Sequence, residues 1–163
     1  MPTEPSFRLA GENDTGVLLG MMREYYAYDG HAFDPEPAHV ALLAFLREPI
    51  FGGAWLICDD STPVGYIVLT LGYSLEYLGR DAFIDEFYLR ESYRGKGGGK
   101  RALAYVEDQA RALEVRSIHL EVVRPNAGAK KVYRKGGYVD HHHYLMSKWI
   151  ERGFPKPGSD AHE

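Results

Sequence analysis

Four glycines fall within the seven residues Arg94–Lys100, RGKGGGK, and helix-forming residues follow at once. Glycines placed just ahead of a helix suit a phosphate ligand. The chain can turn tightly, approach the ligand with no Cβ in the way, and present amides at the positive end of a helix dipole. Two familiar phosphate grips fail against these residues. A G-x-x-x-x-G-K-[ST] loop needs glycine where Arg94 stands and a hydroxyl where Arg101 stands. A dinucleotide fingerprint is matched by Gly97, Gly99 and Ala102, with Glu121 suitably downstream for a ribose hydroxyl. Such a domain begins with its fingerprint, however, and only 64 residues follow Gly99, too few for the rest of a six-stranded doubly wound sheet.

The histidines of DHHHYL raise metal chemistry. Strand alternation would set His141 and His143 on one face and His142 on the other. No cysteine partner and no HExxH accompanies them, so an exposed or cleft-lining strand end is expected and no metal site. Cys58 is the single cysteine, which precludes an intrachain disulfide and, within an apolar run, reads as a core residue.

The elements that must hold these residues follow from periodicity. SFRLA reads as a short first strand. Asn13 or Asp14 can cap a helix through about Tyr28, with Val17, Leu18, Met21, Met22 and Tyr25 on its buried face. Pro37 suits the first position of a second helix to about Arg47. AWLICDD and PVGYIVLTLGY are β-rich runs joined by a hairpin turn, and DAFIDEFYL is a further strand. Lys100–Leu113 is helical, with Leu103, Val106, Ala110 and Leu113 at helical spacing. SIHLEVV is a strand, NAGAKKVYRKGG a short helix ended by Gly136–Gly137, and YVDHHHYLMSKWI one or two closing strands. The tail from about residue 151 to 163 reads as frayed. The order β-α-α-β-β-β-α-β-α-β-β describes one mixed α/β sandwich spanning residues 1–163.

Arg94, Gly97 and Gly99 form [QR]-x-x-G-x-[GA] after the strand IDEFYL, and Asn126, Ala129, Tyr133 and Gly137-Tyr138 follow at N-x-x-A-x-x-x-Y-x-x-x-G-[FY] spacing. Together they resemble the acyl-coenzyme A site of the GNAT superfamily of N-acetyltransferases, and FIDEFYL is most similar to the diamine and thialysine acetyltransferase group. The resemblance implies a mixed, mostly antiparallel sheet with a splayed parallel strand pair and about four helices. It implies acetyl-CoA as co-substrate, its pyrophosphate on the amides of Gly95, Lys96, Gly97, Gly98 and Gly99, with Arg94 and Lys96 adding charge. The backbone of Phe87, Tyr88 and Leu89 would bond the pantetheine arm, as would Asn126, which is equally a good N-cap. Tyr133 would protonate the leaving thiolate, its bland alternative being a helix tyrosine packed at an edge.

An amine of pKa about 10 must shed a proton before attack. By alternation, one of Asp85 and Glu86 is expected to reach the acceptor cleft; Glu86 is favoured as base and Asp85 as cation partner, against simple ion pairing of both. The resemblance also implies an acceptor pocket from the first two helices and the loop between the third and fourth strands, holding Tyr25, Tyr26, Tyr28, Asp29, Asp34, Tyr73, Glu76 and Tyr77. Aromatic faces and carboxylates suit a small cationic amine. A dimer is common among such folds, and the closing strands could pair across chains. A coenzyme-binding module without turnover, serving as sensor or partner-binding domain, is the second reading.

Composition agrees with a globular domain: 45% hydrophobic and 26% charged residues. Net charge −4 and pI near 6.0, with no basic tract, argue against nucleic acid or anionic membrane as partner. MPTEPSFRLAGEND lacks a basic and an apolar segment of the kind a secretion signal carries, and no apolar run approaches the roughly 20 residues of a membrane span. A cytoplasmic location is expected.

Overall fold

A computed structural model describes residues 4–151. The chain runs β1 (Ser6–Leu9), α1 (Thr15–Tyr28), α2 (Pro35–Arg47), β2 (Gly52–Asp59), β3 (Thr62–Ser74), β4 (Gly79–Leu89), α3 (Gly98–Ala112), β5 (Ser117–Leu120) and α4 (Ala127–Lys135). The five strands form one sheet in sequence order. Its first three pairings are antiparallel and the fourth, β4 with β5, is parallel. This is the expected mixed α/β architecture with four helices.

Alternation along the central strands builds two cores. Tyr66 and Val68 of β3 face α1 and α2, where they pack with Leu18, Met21 and Leu42. Ile67 and Leu69, the intervening residues, face α3 and pack with Leu103, Val106 and Ala110. Cys58 is buried with the first group. On α1, Leu18 and Met21 are buried, Met22 and Tyr25 pack at the border, and Val17 is left exposed.

Helix starts are decided by side-chain oxygens. α2 begins at Pro35 rather than Pro37, because the Asp34 carboxylate accepts from the Glu36 amide at 3.3 Å. Asp14 stands at the head of α1 but turns its carboxylate to the Gly11 amide and to Arg8, at 2.7–2.9 Å, instead of capping the helix.

Two expectations are corrected. β5 ends at Leu120, so Glu121, Val122 and Val123 leave the sheet. Residues 138–151 form no strand, although their sequence alternates well enough to read as one. Val139, Tyr144, Leu145 and Met146 are exposed, and an open groove of about 1110 Å³ lies between this stretch, β5, α3 and α4. A strand needs a partner as well as propensity, and here the stretch is held to α4 by the Arg134–Asp140 ion pair rather than by a ladder. The tail expected to fray falls, beyond Glu151, outside the described residues. Among the described residues no helix is long and apolar enough to cross a membrane.

Leu69 has no exposed surface and sits where β3 meets α3. Leu69→Ala is expected to destabilise the fold by about 2–5 kcal/mol, the range for emptying such a site. Urea unfolding of the two proteins measures it.

Candidate active site

β4 outlasts its parallel neighbour. Pairing runs from Asp81 opposite Ser117 to Ile84 opposite Leu120, while β4 continues to Leu89. The backbone of Asp85 to Leu89 therefore has no strand beside it on the β5 side. That free edge carries Phe87, Tyr88 and Leu89, the residues expected to meet the pantetheine arm. Phe87 packs toward α3, and Tyr88 is buried against α1 and α2.

The glycine loop runs from the end of β4 into α3. Gly95 and Gly97 have φ of +73° and +80°, in the left-handed region that a side chain disfavours. Gly97 is the residue before α3, and no side chain caps the helix there. Arg101 is the first helical amide to bond back, to the Gly97 carbonyl at 3.1 Å, so Gly98, Gly99 and Lys100 keep amides available to an anion. A Cβ on Gly98 would stand 3.3 Å from a Leu89 methyl, so α3 packs closely on the end of β4. Arg94 is engaged by the protein. Its guanidinium lies 4.3 Å over the Tyr28 ring and 5.6 Å over Tyr88, and its Nε donates to the Leu89 carbonyl at 2.6 Å. The Lys96 ammonium lies 5.8 Å from the Tyr93 ring.

Asp85 and Glu86 both line one pocket of about 330 Å³ beneath α1 and α2. Simple alternation would have separated them. In the ladder Val68 faces Glu86 and Leu69 faces Ile84, which leaves Asp85 as an extra residue, a β-bulge. Its effect is visible on either side. Ile84 packs toward α3 and Tyr88 toward α1, although an even number of residues separates them. The expectation that only one carboxylate reaches the cleft is thus corrected: the bulge turns both to it.

Their surroundings differ. Glu86 is clamped, its Oε1 accepting from the Tyr26 hydroxyl at 2.9 Å and its Oε2 from Tyr66 at 2.8 Å. Burial raises the Glu86 carboxyl above its ordinary range, the two tyrosine bonds oppose the rise, and the neighbouring Asp85 charge adds to it. Burial also raises both tyrosines, helped by the Glu86 charge, so they stay protonated donors. Asp85, at the exposed mouth, accepts no hydrogen bond from the described residues, and desolvation raises it as well. Tyr66 was not singled out in the sequence; as a strand aromatic with core neighbours it carries no local sign of a polar role.

Asn126 caps α4, its Oδ1 accepting from the Ala129 amide at 3.0 Å. Tyr133, two turns on, packs its ring against Tyr138 at 5.8 Å, and burial raises its phenol. Tyr25, on α1, has its phenol raised first by burial and then by the Asp29 and Glu86 charges.

This arrangement has known counterparts. The model of the acetyltransferase (GNAT) family matches residues 18–138. The chain belongs to the GNAT acetyltransferase family. Bovine thialysine N-epsilon-acetyltransferase is 27% identical over 143 residues, covering 82% of this chain and 83% of that protein. An N-acetyltransferase of Bacillus subtilis (strain 168), YycN, is 41% identical over 65 residues, which span 40% of this chain and only 42% of its own length. An integron cassette protein from the mobile metagenome of Cole Harbour Salt Marsh is 35% identical, with a TM-score of 0.80 over 90% of this chain and 91% of its own. A predicted acetyltransferase from Clostridium acetobutylicum, solved with acetyl-CoA, shares the fold at a TM-score of 0.75 and 16% identity, covering 88% and 96%.

Within this GNAT fold the aromatic and acidic residues expected around the acceptor are dispersed. Tyr26 lines the 330 Å³ pocket, whose other walls are Leu18 and Met22 of α1 and residues of α2, β3 and β4. Tyr28 lies under Arg94, Tyr73 is 75% exposed, and Tyr77 meets His119 edge-on at 4.6 Å. Asp34 caps α2. The His141 and His143 rings stack at 6.3 Å, and among the described residues no three His, Cys, Asp or Glu side chains gather as a metal would require.

The two loop glycines give different tests. Gly97→Val forces a side chain into left-handed backbone, a strain of about 1–2 kcal/mol. Gly99 lies in the helix, and a Cβ there meets only the Phe87 ring at 3.7 Å. Gly99→Val is therefore expected to leave the Tm nearly unchanged while abolishing acetyl-CoA binding, as calorimetry would read. Wild-type affinity in that variant would remove the pyrophosphate from this loop.

Proposed function

We propose that the protein transfers the acetyl group of acetyl-CoA directly to the primary amine of a small molecule. The observation that carries this reading is the bulge at Asp85. It aims two carboxylates into one pocket immediately beyond the point where β4 parts from β5. The uncapped start of α3 and the free edge of β4 fit a pyrophosphate and an amide-bearing arm. Acetyl-CoA supplies the acetyl group as an activated thioester. The bovine relative is named for acetyl transfer to the epsilon amine of thialysine, which is a primary amine.

The roles divide by environment. Asp85, at the mouth and without a protein partner, receives the ammonium. Glu86 accepts its proton; the raised pKa brings the carboxylate nearer the amine in basicity, and the tyrosine clamp fixes its orientation. Tyr133 donates a proton toward the departing sulfur. Burial raises its phenol, so it remains protonated throughout the neutral range. Phe87, Tyr88 and Leu89 hold the arm through backbone groups, and Asn126 orders the first turn of α4 beneath Tyr133.

Tyr133→Phe keeps the ring and removes the donor. It is expected to lower kcat about 100-fold, the lower end for general acid catalysis, with acetyl-CoA affinity unchanged; single-turnover thiol release and calorimetry separate the two. Full kcat in that variant would make Tyr133 a packing residue.

Glu86→Gln gives opposite effects on rate and stability. Wild-type kcat/KM should fall as pH drops through the raised Glu86 pKa, and the variant should lose both rate and that acid limb. The sign for stability follows from the same shift. A carboxyl whose folded pKa lies above its unfolded one loses stability as pH rises from the unfolded value, about 4.3, to the folded one. Glu86→Gln is spared that loss, so its Tm relative to the wild type should rise across this window and then level, whatever offset the loss of one tyrosine bond adds. Tm measured against pH checks the sign.

A further inference from the structure

We infer that the acceptor is a compact primary monoamine with an apolar body, and that α2 sets this choice. The inference rests on Asp85 and Glu86 receiving the amine. Beyond them the pocket is walled on α1 by Leu18 and Met22, and on α2 by Ala38, Ala41, Leu42 and Phe45. Its remaining polar groups, Tyr26, Tyr66 and Thr70, are already engaged: the two tyrosines on Glu86 and the threonine on the Phe83 carbonyl. Among the described residues, Asp85 and Glu86 are the only charged ones lining it.

No carboxylate, histidine, lysine or arginine of α1 or α2 lines the pocket, Glu36 and His39 of α2 included. Glu24 pairs with Arg90, Arg47 with Glu12, and Arg23 lies over Phe33. Nothing at the apolar end can satisfy a second ammonium or the head group of an amino acid. Either would lose its hydration among methyl and phenyl groups with no compensating bond. At about 330 Å³ the pocket lies at the low end of small-molecule sites, roughly 300–1,000 Å³. At the roughly 30 Å³ that each water takes in the liquid, it has room for about ten non-hydrogen atoms.

The reaction balances for such an amine. R–NH3⁺ gives one proton to Glu86, its nitrogen forms the C–N bond as the C–S bond breaks, and the second nitrogen proton is released. Sulfur takes a proton from Tyr133, which recovers it from solvent. The sum is R–NH3⁺ plus acetyl-CoA giving the N-acetyl amide, free CoA thiol and one H⁺.

Pentylamine and 1,4-diaminobutane test this directly, being equal in size and different only in the second ammonium. In a thiol-release assay with the full chain and acetyl-CoA, kcat/KM for pentylamine is expected to exceed that for 1,4-diaminobutane and for lysine by about 100-fold or more. 2-Phenylethylamine should be accepted as well. Ala41 lines the pocket yet is exposed to solvent, so Ala41→Asp can be made without emptying the core. A carboxylate there should narrow the pentylamine-to-diamine ratio at least tenfold. Equal or better turnover of the diamine or of lysine by the wild type would overturn the inference while leaving acetyl transfer intact. Absence of thiol release with every amine would instead count against acetyl transfer. The pocket is then read by thermal shift alone, pentylamine raising the Tm supporting the inference and 1,4-diaminobutane raising it as much overturning it.

Discussion

The bulge in β4 couples strand pairing to chemistry. With Val68 opposite Glu86 and Leu69 opposite Ile84, the ladder between β3 and β4 resumes on both sides of Asp85. The strand before it presents Ala82 and Ile84 to α3, and the strand after it presents Tyr88 to α1. Remove the extra residue and the parity would shift: either Glu86 and Tyr88 would leave the α1 side for the apolar core against α3, or Ala82 and Ile84 would leave that core. Both cores would then be wrong by one residue. The bulge is thus fixed by packing on two faces, and the carboxylate pair is fixed with it. It also lies where β5 ends, at Leu120 opposite Ile84. The register change that gathers the carboxylates and the gap beside the free edge of β4 occur at one point on one strand.

Holding Glu86 there is costly for the fold and useful for the reaction. A buried carboxylate is poorly solvated, and only the two tyrosine hydroxyls offset the loss. Those donors come from different elements, Tyr26 from α1 and Tyr66 from β3, so the clamp closes only when helix and sheet are docked. Tyr66 has no exposed surface and packs with Val68, Leu56 and Leu18. Its ring belongs to the core while its hydroxyl belongs to the site, so loss of the ring would weaken both.

What the sequence made legible is local in cause. The glycine loop could be read because left-handed backbone at Gly95 and Gly97 and close packing at Gly98 each demand glycine at its own position. Asn126 could be read because a cap acts over three residues. The helix faces followed from their period, as Leu103, Val106 and Ala110 illustrate. What stayed hidden depends on a partner. FIDEFYL alternates like an ordinary strand, and nothing in it marks Asp85 as unpaired; only the opposing Val68–Leu69 step does that. Tyr66 looked like core because most of it is core. Residues 138–151 alternate like a strand but lack a neighbour to pair with. The helix start expected at Pro37 lies at Pro35, because one hydrogen bond from the Glu36 amide to the Asp34 carboxylate sets it there.

Arg94 joins the coenzyme loop to the acceptor pocket. It leaves β4 just after the free edge, bonds back to the Leu89 carbonyl and stacks on Tyr28, the last residue of α1. Two residues earlier on the same helix, Tyr26 clamps Glu86. Tyr88, also under the Arg94 guanidinium, donates to Glu24 of α1 at 3.1 Å, and Glu24 in turn holds Arg90. The end of α1 is therefore tied at several points to the end of β4 and to the first residue of the loop. A shift of the loop on binding a pyrophosphate would act on α1 through Tyr28. A shift of α1 would loosen one of the two bonds on Glu86. The clamp on Glu86 is in this way joined to the glycine loop through α1, by the Tyr26 hydroxyl and the Arg94 guanidinium on Tyr28.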